Sequence, residues 1–245
     1  MGIARRLAAA GLVVGPQGNV SARDPASGLV AITPSGMEYE RMGAEDVPVL
    51  DLRGHPVEGR RRPSTELPTH LAIYRHRADV GAIVHTHSPY ATTLAVLGWP
   101  LPPVLGEAAA VLGGEVAVAP YATTGTELLA RHAVQALGDR QAVLLQSHGA
   151  VAVGRDLREA LHAALVLEST ARIYWMARLA GPVSALAPDE VARIRQGFLR
   201  HYGQPRPGRA APLPAGGPRR PGAAGSAGAA GAAEEAAPAR EGELP

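Results

Sequence analysis

The chain has 245 residues with 24 basic and 22 acidic side chains, a formal net charge of +2, and 46% hydrophobic residues. That is enough to bury one core, and basic residues scattered singly or in pairs apart from Arg60-Arg61-Arg62 exclude a nucleic-acid track. All 24 basic residues are arginine and cysteine is absent, which excludes a lysine Schiff base, a thiolate nucleophile, a thiolate metal site and a disulfide.

Any carbon–carbon chemistry then requires a metal as electron sink. In chain order, the run from Arg5-Arg6-Leu7 to Val14 is short for a signal peptide, contains Gly11 and leads into a loop without a small-residue cleavage pattern. It reads as a helix that starts late. No stretch approaches about 18 uninterrupted apolar residues, so no membrane span is expected and a cytoplasmic location follows by default. Gly18-Asn19-Val20-Ser21 and Thr33-Pro34-Ser35-Gly36 read as loops that offer hydrogen-bond donors, and each is equally compatible with a plain turn. Strands are expected at 30–33, 47–52, 80–85, 116–119, 142–146 and 150–153 from their short apolar runs.

Pro63-Ser64-Thr65-Glu66 marks a helix start. Ser64 or Thr65 can cap it, Pro68 falls in the first turn, and Leu67, Leu71 and Tyr74 mark its apolar side. The exposed amides there, with the hydroxyls of Ser64 and Thr65, form a phosphate seat one residue from the Glu66 carboxylate. A first-turn acid that merely complements the helix dipole is the plainer alternative.

Ala82-Ile83-Val84 leads into His85 and His87, and residues two apart on a strand project from one face. Leu144-Leu145 makes a second strand, ending at His148. Three imidazoles converging at strand ends predict a divalent-metal site with a position left open for substrate. The His85/His87 pair alone is also compatible with two satisfied polar residues at a strand end. Capping boxes at Thr124-x-x-Glu127 and Asp156-x-x-Glu159 predict two helices, the second running from about 156 to 180. A last helix follows Pro188 and ends near Tyr202-Gly203. Residues 204–245, rich in Pro, Gly, Ala and Arg, cannot bury enough surface to offset their ordering entropy, so a disordered tail is expected after a single α/β layered domain over residues 1–203.

In this order, Gly-Asn-Val-Ser, Ile-Thr-Pro-Ser-Gly, Pro-Ser-Thr-Glu, Val-His-Thr-His-Ser, Ala-Pro-Tyr-Ala and Leu-Leu-Gln-x-His-Gly resemble the class II aldolase/adducin family, with the nearest likeness to its fuculose-1-phosphate aldolases. The resemblance spans about residues 2 to 203. It implies an αβα fold with a central mixed, mostly antiparallel sheet, and a homotetramer with one zinc per subunit and active sites between subunits. It implies His85, His87 and His148 as zinc ligands, Glu66 as acid/base, and Gly18, Asn19, Ser35, Gly36, Ser64 and Thr65 as phosphate contacts. Tyr202 matches the place of a C-terminal tyrosine that protonates the leaving oxygen; a tyrosine packing a helix end is the alternative.

The implied activity is reversible cleavage of a ketose 1-phosphate to dihydroxyacetone phosphate and a small aldehyde, with desolvation raising the Glu66 pKa for its proton shuttle. The same family also holds pentulose-5-phosphate 4-epimerases, methylthioribulose-1-phosphate dehydratases and the adducin-like interaction modules, the last lacking the zinc histidines. Two departures bear on substrate. Gly15-Pro16-Gln17-Gly18-Asn19 loses a threonine of the usual phosphate loop, and Leu105-Gly106-Glu107-Ala108 replaces a segment with an active-site tyrosine. Glu107 is thus a second candidate base.

Overall fold

The computed structural model describes residues 2–201. Tyr202 and the segment 204–245 lie outside the described residues. Eight strands form one sheet: β1 (Asn19–Arg23), β2 (Val30–Ile32), β3 (Val49–Leu50), β4 (Pro56–Glu58), β5 (Ala82–Thr86), β6 (Val118–Ala119), β7 (Ala142–Leu145) and β8 (Gly149–Gly154). Their spatial order is β4-β3-β2-β1-β5-β8-β7-β6. Every neighbouring pair is antiparallel except β6 with β7, so the sheet is mixed and mostly antiparallel as expected.

Seven helices cover it: α1 (Gly2–Ala9), α2 (Leu67–His76), α3 (Pro89–Leu97), α4 (Gly106–Leu112), α5 (Glu127–Leu137), α6 (Leu157–Ala180) and α7 (Pro188–His201). The period-2 alternation of the central strands sorts them into two layers. Val84, Leu144 and Ala152 point to one face and pack with Leu94 of α3, Leu112 of α4 and Leu161 and Leu167 of α6. Ile83, Val143 and Val151 point to the other and pack with Leu71 of α2 and Leu129 and Ala133 of α5. Each fully buried leucine or isoleucine contributes about 1.5–3 kcal/mol, and the result is an αβα sandwich. Among the described residues no helix is long and apolar enough to cross a membrane.

Several local expectations need correction. The Gly18–Ser21 loop is mostly strand: β1 begins at Asn19 and pairs with both β2 and β5. The strand expected over 47–52 shortens to β3, because Pro48 has no amide hydrogen for the sheet. Thr126, not Thr124, caps α5 by accepting from the Leu129 amide. Asp156 caps α6 as expected, accepting from the Glu159 amide at 2.8 Å. Helices α3 and α4 were not foreseen. The start of α3 is satisfied from a distance, since the Glu168 carboxylate of α6 accepts from the amides of Tyr90 and Ala91, both at 2.9 Å. That contact anchors the chain just beyond His87.

Candidate active site

β5 and the turn between β7 and β8 bring the three histidines together. His85 is the fourth residue of β5 and is 1% exposed; His87 lies just past the strand end. His148 sits in the turn after β7 rather than in a strand, and the turn depends on Ser147 at φ 55°, the one non-glycine residue with positive φ among the described residues. That left-handed conformation is costly for serine and aims His148 back at β5. Ring centroids are 4.9 Å (His85–His87), 4.8 Å (His85–His148) and 5.0 Å (His87–His148) apart. One nitrogen from each ring lies within 4.8 Å of the others.

Glycine is required beside them. A side chain at Gly149 would run into the Thr86 carbonyl and come within 2.8 Å of His87 Cδ2. A Cβ on Gly18, which has φ +71°, would lie 2.6 Å from the His85 carbonyl.

Glu66 immediately precedes α2, so neither Ser64 nor Thr65 caps that helix through its side chain. Ser64 Oγ instead accepts from the Glu66 amide at 3.2 Å. The carboxylate meets the histidines: Oε2 is 2.8 Å from His85 Nε2, and Oε1 is 2.9 Å from His148 Nε2. Oε1 nevertheless has no partner at hydrogen-bonding angle and is fully buried. His85 Nδ1 lies 2.9 Å from the Ala150 carbonyl, which can only accept, so Nδ1 carries a proton toward it and leaves Nε2 facing the cluster. That is the arrangement of a metal-binding histidine with its outer partner in place.

Convergent imidazole nitrogens, a tautomer fixed from behind and a buried carboxylate oxygen without a donor fit a divalent cation of the nitrogen/oxygen class. Holding that cation would fall to His85, His87 and His148, with Glu66 alongside.

The electrostatics follow from burial and proximity. Burial pushes the Glu66 carboxyl up, but the imidazoles of His85 and His148 more than offset this and hold it well below the usual carboxylate range. Desolvation thus acts on Glu66 in the expected direction, and the two imidazoles outweigh it. Burial pushes His85 down, yet the Glu66 carboxylate wins and raises it; burial and the two neighbouring imidazoles push His87 down to about 4. The ionised Glu66 carboxylate thus favours a proton on His85, while His87 disfavours one. A ligand histidine must be neutral, so metal binding displaces that proton and weakens as pH falls. Calorimetric metal titrations in buffers of different ionisation enthalpy are expected to show proton release that grows as pH is lowered from about 8 to about 6; release that stays flat or turns to uptake would contradict the charge assignment.

Beside the cluster lies a cavity of about 290 Å³, at the small end for ligand pockets. All six residues expected to contact phosphate line it (Gly18, Asn19, Ser35, Gly36, Ser64 and Thr65), together with Glu66, His87 and His148. The two loops are stitched together, Ser35 N donating to the Arg62 carbonyl at 3.0 Å and Ser64 N to the Thr33 carbonyl at 3.1 Å. Those two amides are therefore spent, whereas the amides of Gly36 and Thr65, unpartnered among the described residues, and the hydroxyls stay available to an anion.

Pro16, Pro34 and Thr124 also line the cavity and were missed as lining residues. Thr124 carried only a helix-cap signal, and its neighbour Gly125 approaches the Thr65 carbonyl too closely for a side chain. Glu107 is not brought in; it stays exposed in the first turn of α4. Tyr202 lies outside the described residues.

A family model described as class II aldolase and adducin N-terminal domain matches residues 1–175. The chain belongs to the class II aldolase/adducin family. It is 44% identical over 200 residues to a 5-deoxy-D-ribulose 1-phosphate aldolase of Bacillus thuringiensis, covering 82% of this chain and 93% of that protein. It is 39% identical over 200 residues to a 5-methylthioribulose-1-phosphate/5-deoxyribulose-1-phosphate aldolase of Rhodospirillum rubrum, covering 82% and 89%. It is 37% identical over 204 residues to an L-ribulose-5-phosphate 4-epimerase of Salmonella paratyphi B, covering 79% and 89%. Among solved structures, an L-fuculose 1-phosphate aldolase superposes with a TM-score of 0.78 at 39% identity, covering 80% of this chain and 92% of that one. Within this class II aldolase fold, the His85/His87/His148 group could hold a metal.

Proposed function

We propose that the protein is a zinc-dependent aldolase that cleaves a ketose 1-phosphate with a short, unphosphorylated end, of the 5-deoxyribulose 1-phosphate class, to dihydroxyacetone phosphate and a small aldehyde. One observation carries this reading: His87, His148 and Glu66 open onto the same small cavity as the donor loops at 35–36 and 64–65, with His85 buried directly behind them. A metal-competent cluster beside an anion seat suits a phosphorylated substrate with adjacent oxygens. The relatives named for 5-deoxyribulose 1-phosphate narrow the class from the fuculose-1-phosphate-like substrate that the motifs suggest.

When bound, zinc supplies Lewis-acid polarisation of the substrate oxygens and stabilises charge that develops on them. The amides of Gly36 and Thr65 and the hydroxyls of Ser35, Ser64 and Thr65 hold the phosphate and so orient the donor half. In 5-deoxyribulose 1-phosphate the C3–C4 bond breaks, its electron pair staying with C3, while the C4 hydroxyl loses its proton to release acetaldehyde. Glu66 carries the proton to and from C3, which completes dihydroxyacetone phosphate. Asn19, donating to Glu66 Oε2 at 2.7 Å, holds that carboxylate in place.

The reading extends to a cytoplasmic homotetramer whose sites lie between subunits, with Tyr202 exchanging the proton of the C4 oxygen: it takes that proton as the hydroxyl gives it up in cleavage and returns it to the aldehyde oxygen in condensation. Tyr202→Phe keeps the ring and removes only the hydroxyl. A lower turnover number at similar KM is expected, and unaltered steady-state kinetics would leave Tyr202 no part in proton transfer.

The function itself is tested by a retro-aldol screen of 5-deoxyribulose 1-phosphate, fuculose 1-phosphate and ribulose 5-phosphate with coupled detection of dihydroxyacetone phosphate. Cleavage of the first is expected to have the highest kcat/KM. Epimerisation of ribulose 5-phosphate without cleavage of either 1-phosphate would instead favour the activity for which the Salmonella relative is named.

A further inference from the structure

β1 presents an unusual inner face. Val20 joins the apolar layer under α3 and α6, while the alternate residues Asn19, Ser21 and Arg23 turn toward α2. Asn19 is 4% exposed and Ser21 1%. On the same face, neighbouring strands supply Ile83, Val143 and Val151 to an apolar core. Polar groups in such a layer cost free energy unless every one is matched, so an aliphatic residue at position 21 would be the cheaper solution for folding alone.

α2 and the residue before it answer with a set at four-residue spacing, Glu66, His70 and Tyr74, of which His70 and Tyr74 are each 1% exposed; Asn19 Oδ1 and His70 Nε2 stay buried without a partner, a cost that folding alone does not explain. Asn19 Nδ2 donates to Glu66 Oε2 at 2.7 Å. Ser21 Oγ lies 2.6 Å from His70 Nδ1 and 2.7 Å from the Tyr74 hydroxyl. Arg23 donates to the Tyr74 carbonyl at 3.0 Å and stacks 5.2 Å from the centre of its ring. Two residues of strand rise roughly 6.5 Å and four residues of helix about 6 Å, so three rungs stay in step over the length of both elements.

We propose that this buried polar ladder sets the position of α2 along β1 and thereby holds the Glu66 carboxylate over the histidine cluster, with Ser21 and His70 as positioning residues. The inference rests on the reading of Glu66 as the proton carrier. Asn19 is the register partner of His85 where β1 pairs with β5, so the strand that receives the ladder also fixes the first histidine. Sliding α2 along β1 would break all three rungs at once and carry Glu66 away from His85. The Ser21 hydroxyl can accept from one neighbour and donate to the other, and an aliphatic side chain there could do neither.

The test is steady-state kinetics of the zinc-loaded full-length enzyme, expressed per bound zinc so that loss of folded or loaded protein does not count. Ser21→Ala is expected to lower kcat about 5- to 10-fold at unchanged KM, the worth of roughly one hydrogen bond. Ser21→Thr, which keeps the hydroxyl, is expected to restore most of it. A residue acting through Glu66 has nothing to act on once the carboxylate is gone, so Ser21→Ala added to Glu66→Gln is expected to cause no further fall.

A wild-type kcat in Ser21→Ala, or the same loss with and without the Glu66 carboxylate, overturns the inference. Should Ser21→Ala fail to fold, Tyr74→Phe removes one bond of the same rung; a smaller fall confined to kcat supports the ladder and wild-type kcat overturns it. Glu66→Gln at wild-type turnover would remove the underlying reading of Glu66 as well, whereas an impaired Glu66→Gln beside an unimpaired Ser21→Ala removes the ladder alone.

Discussion

Glu66→Gln is expected to bind metal and phosphate and to lose turnover by about 10²-fold or more. The substitution keeps the volume of the side chain and leaves an amide oxygen able to accept from Asn19, whose Nδ2 lies 2.7 Å from Oε2 in the native protein. What disappears is the capacity to take a proton and pass it back, which is worth about 10²–10⁴-fold where a side chain acts as general acid or base. Metal content should stay near that of the wild type, because the three imidazoles are untouched. KM for the phosphorylated substrate should change little, since the donors at 35–36 and 64–65 remain.

Two measurements separate the possibilities. Solvent hydrogen exchange at the donor carbon of dihydroxyacetone phosphate reads the proton step without the aldehyde and should fall with kcat. Wild-type exchange in Glu66→Gln would show that another group moves the proton, and the exposed position of Glu107 makes it a poor replacement. A collapse of metal content would make Glu66 a ligand first and a proton carrier second.

The site was legible in the sequence where its chemistry sits on apolar strands. Ala82-Ile83-Val84 and Leu144-Leu145 are unmistakable as buried strands, and His85 and His87 follow from the first by period-2 geometry, whereas His148 is brought in by the turn at Ser147. β1 was not legible for the opposite physical reason. Asn-Val-Ser-Ala-Arg has a polar face, polar faces ordinarily meet water, and only the tertiary partner α2, with Glu66, His70 and Tyr74 four residues apart, shows that this one is buried. Helices α3 and α4 escaped although local marks bound them, Ser88-Pro89 and Gly98 for α3 and Gly113 for α4; what has no local mark is the anchor of α3, a carboxylate 77 residues further along the chain. The residues expected at the phosphate come together around one cavity, but which of their donors are free was not legible. Whether a backbone amide is free depends on which loop pairs with which, and the pairing of Ser35 with Arg62 and of Ser64 with Thr33 has no local sequence mark.

His87→Ala is expected to lose the metal and, with it, essentially all activity, while leaving the fold in place. His87 is a cleaner target than His85: it lies past the end of β5 and lines the cavity, and among the described residues its hydrogen-bonding neighbour is His85 Nε2 at 3.0 Å. His85, by contrast, is anchored to the Ala150 carbonyl at 2.9 Å, so replacing it would confuse folding with binding. Removing a ligand should weaken zinc by more than the roughly 10–100-fold that follows loss of an outer partner alone, enough to empty the site on dialysis. Wild-type protein should retain about one zinc per chain, lose activity to a chelator and regain it on adding zinc back. Because zinc binds the folded state, it should also raise the wild-type melting temperature and leave that of His87→Ala almost unmoved. Undiminished zinc in the variant, or full activity in the chelated wild type, would mean that the cluster is not the metal site, and the three converging imidazoles would need another explanation.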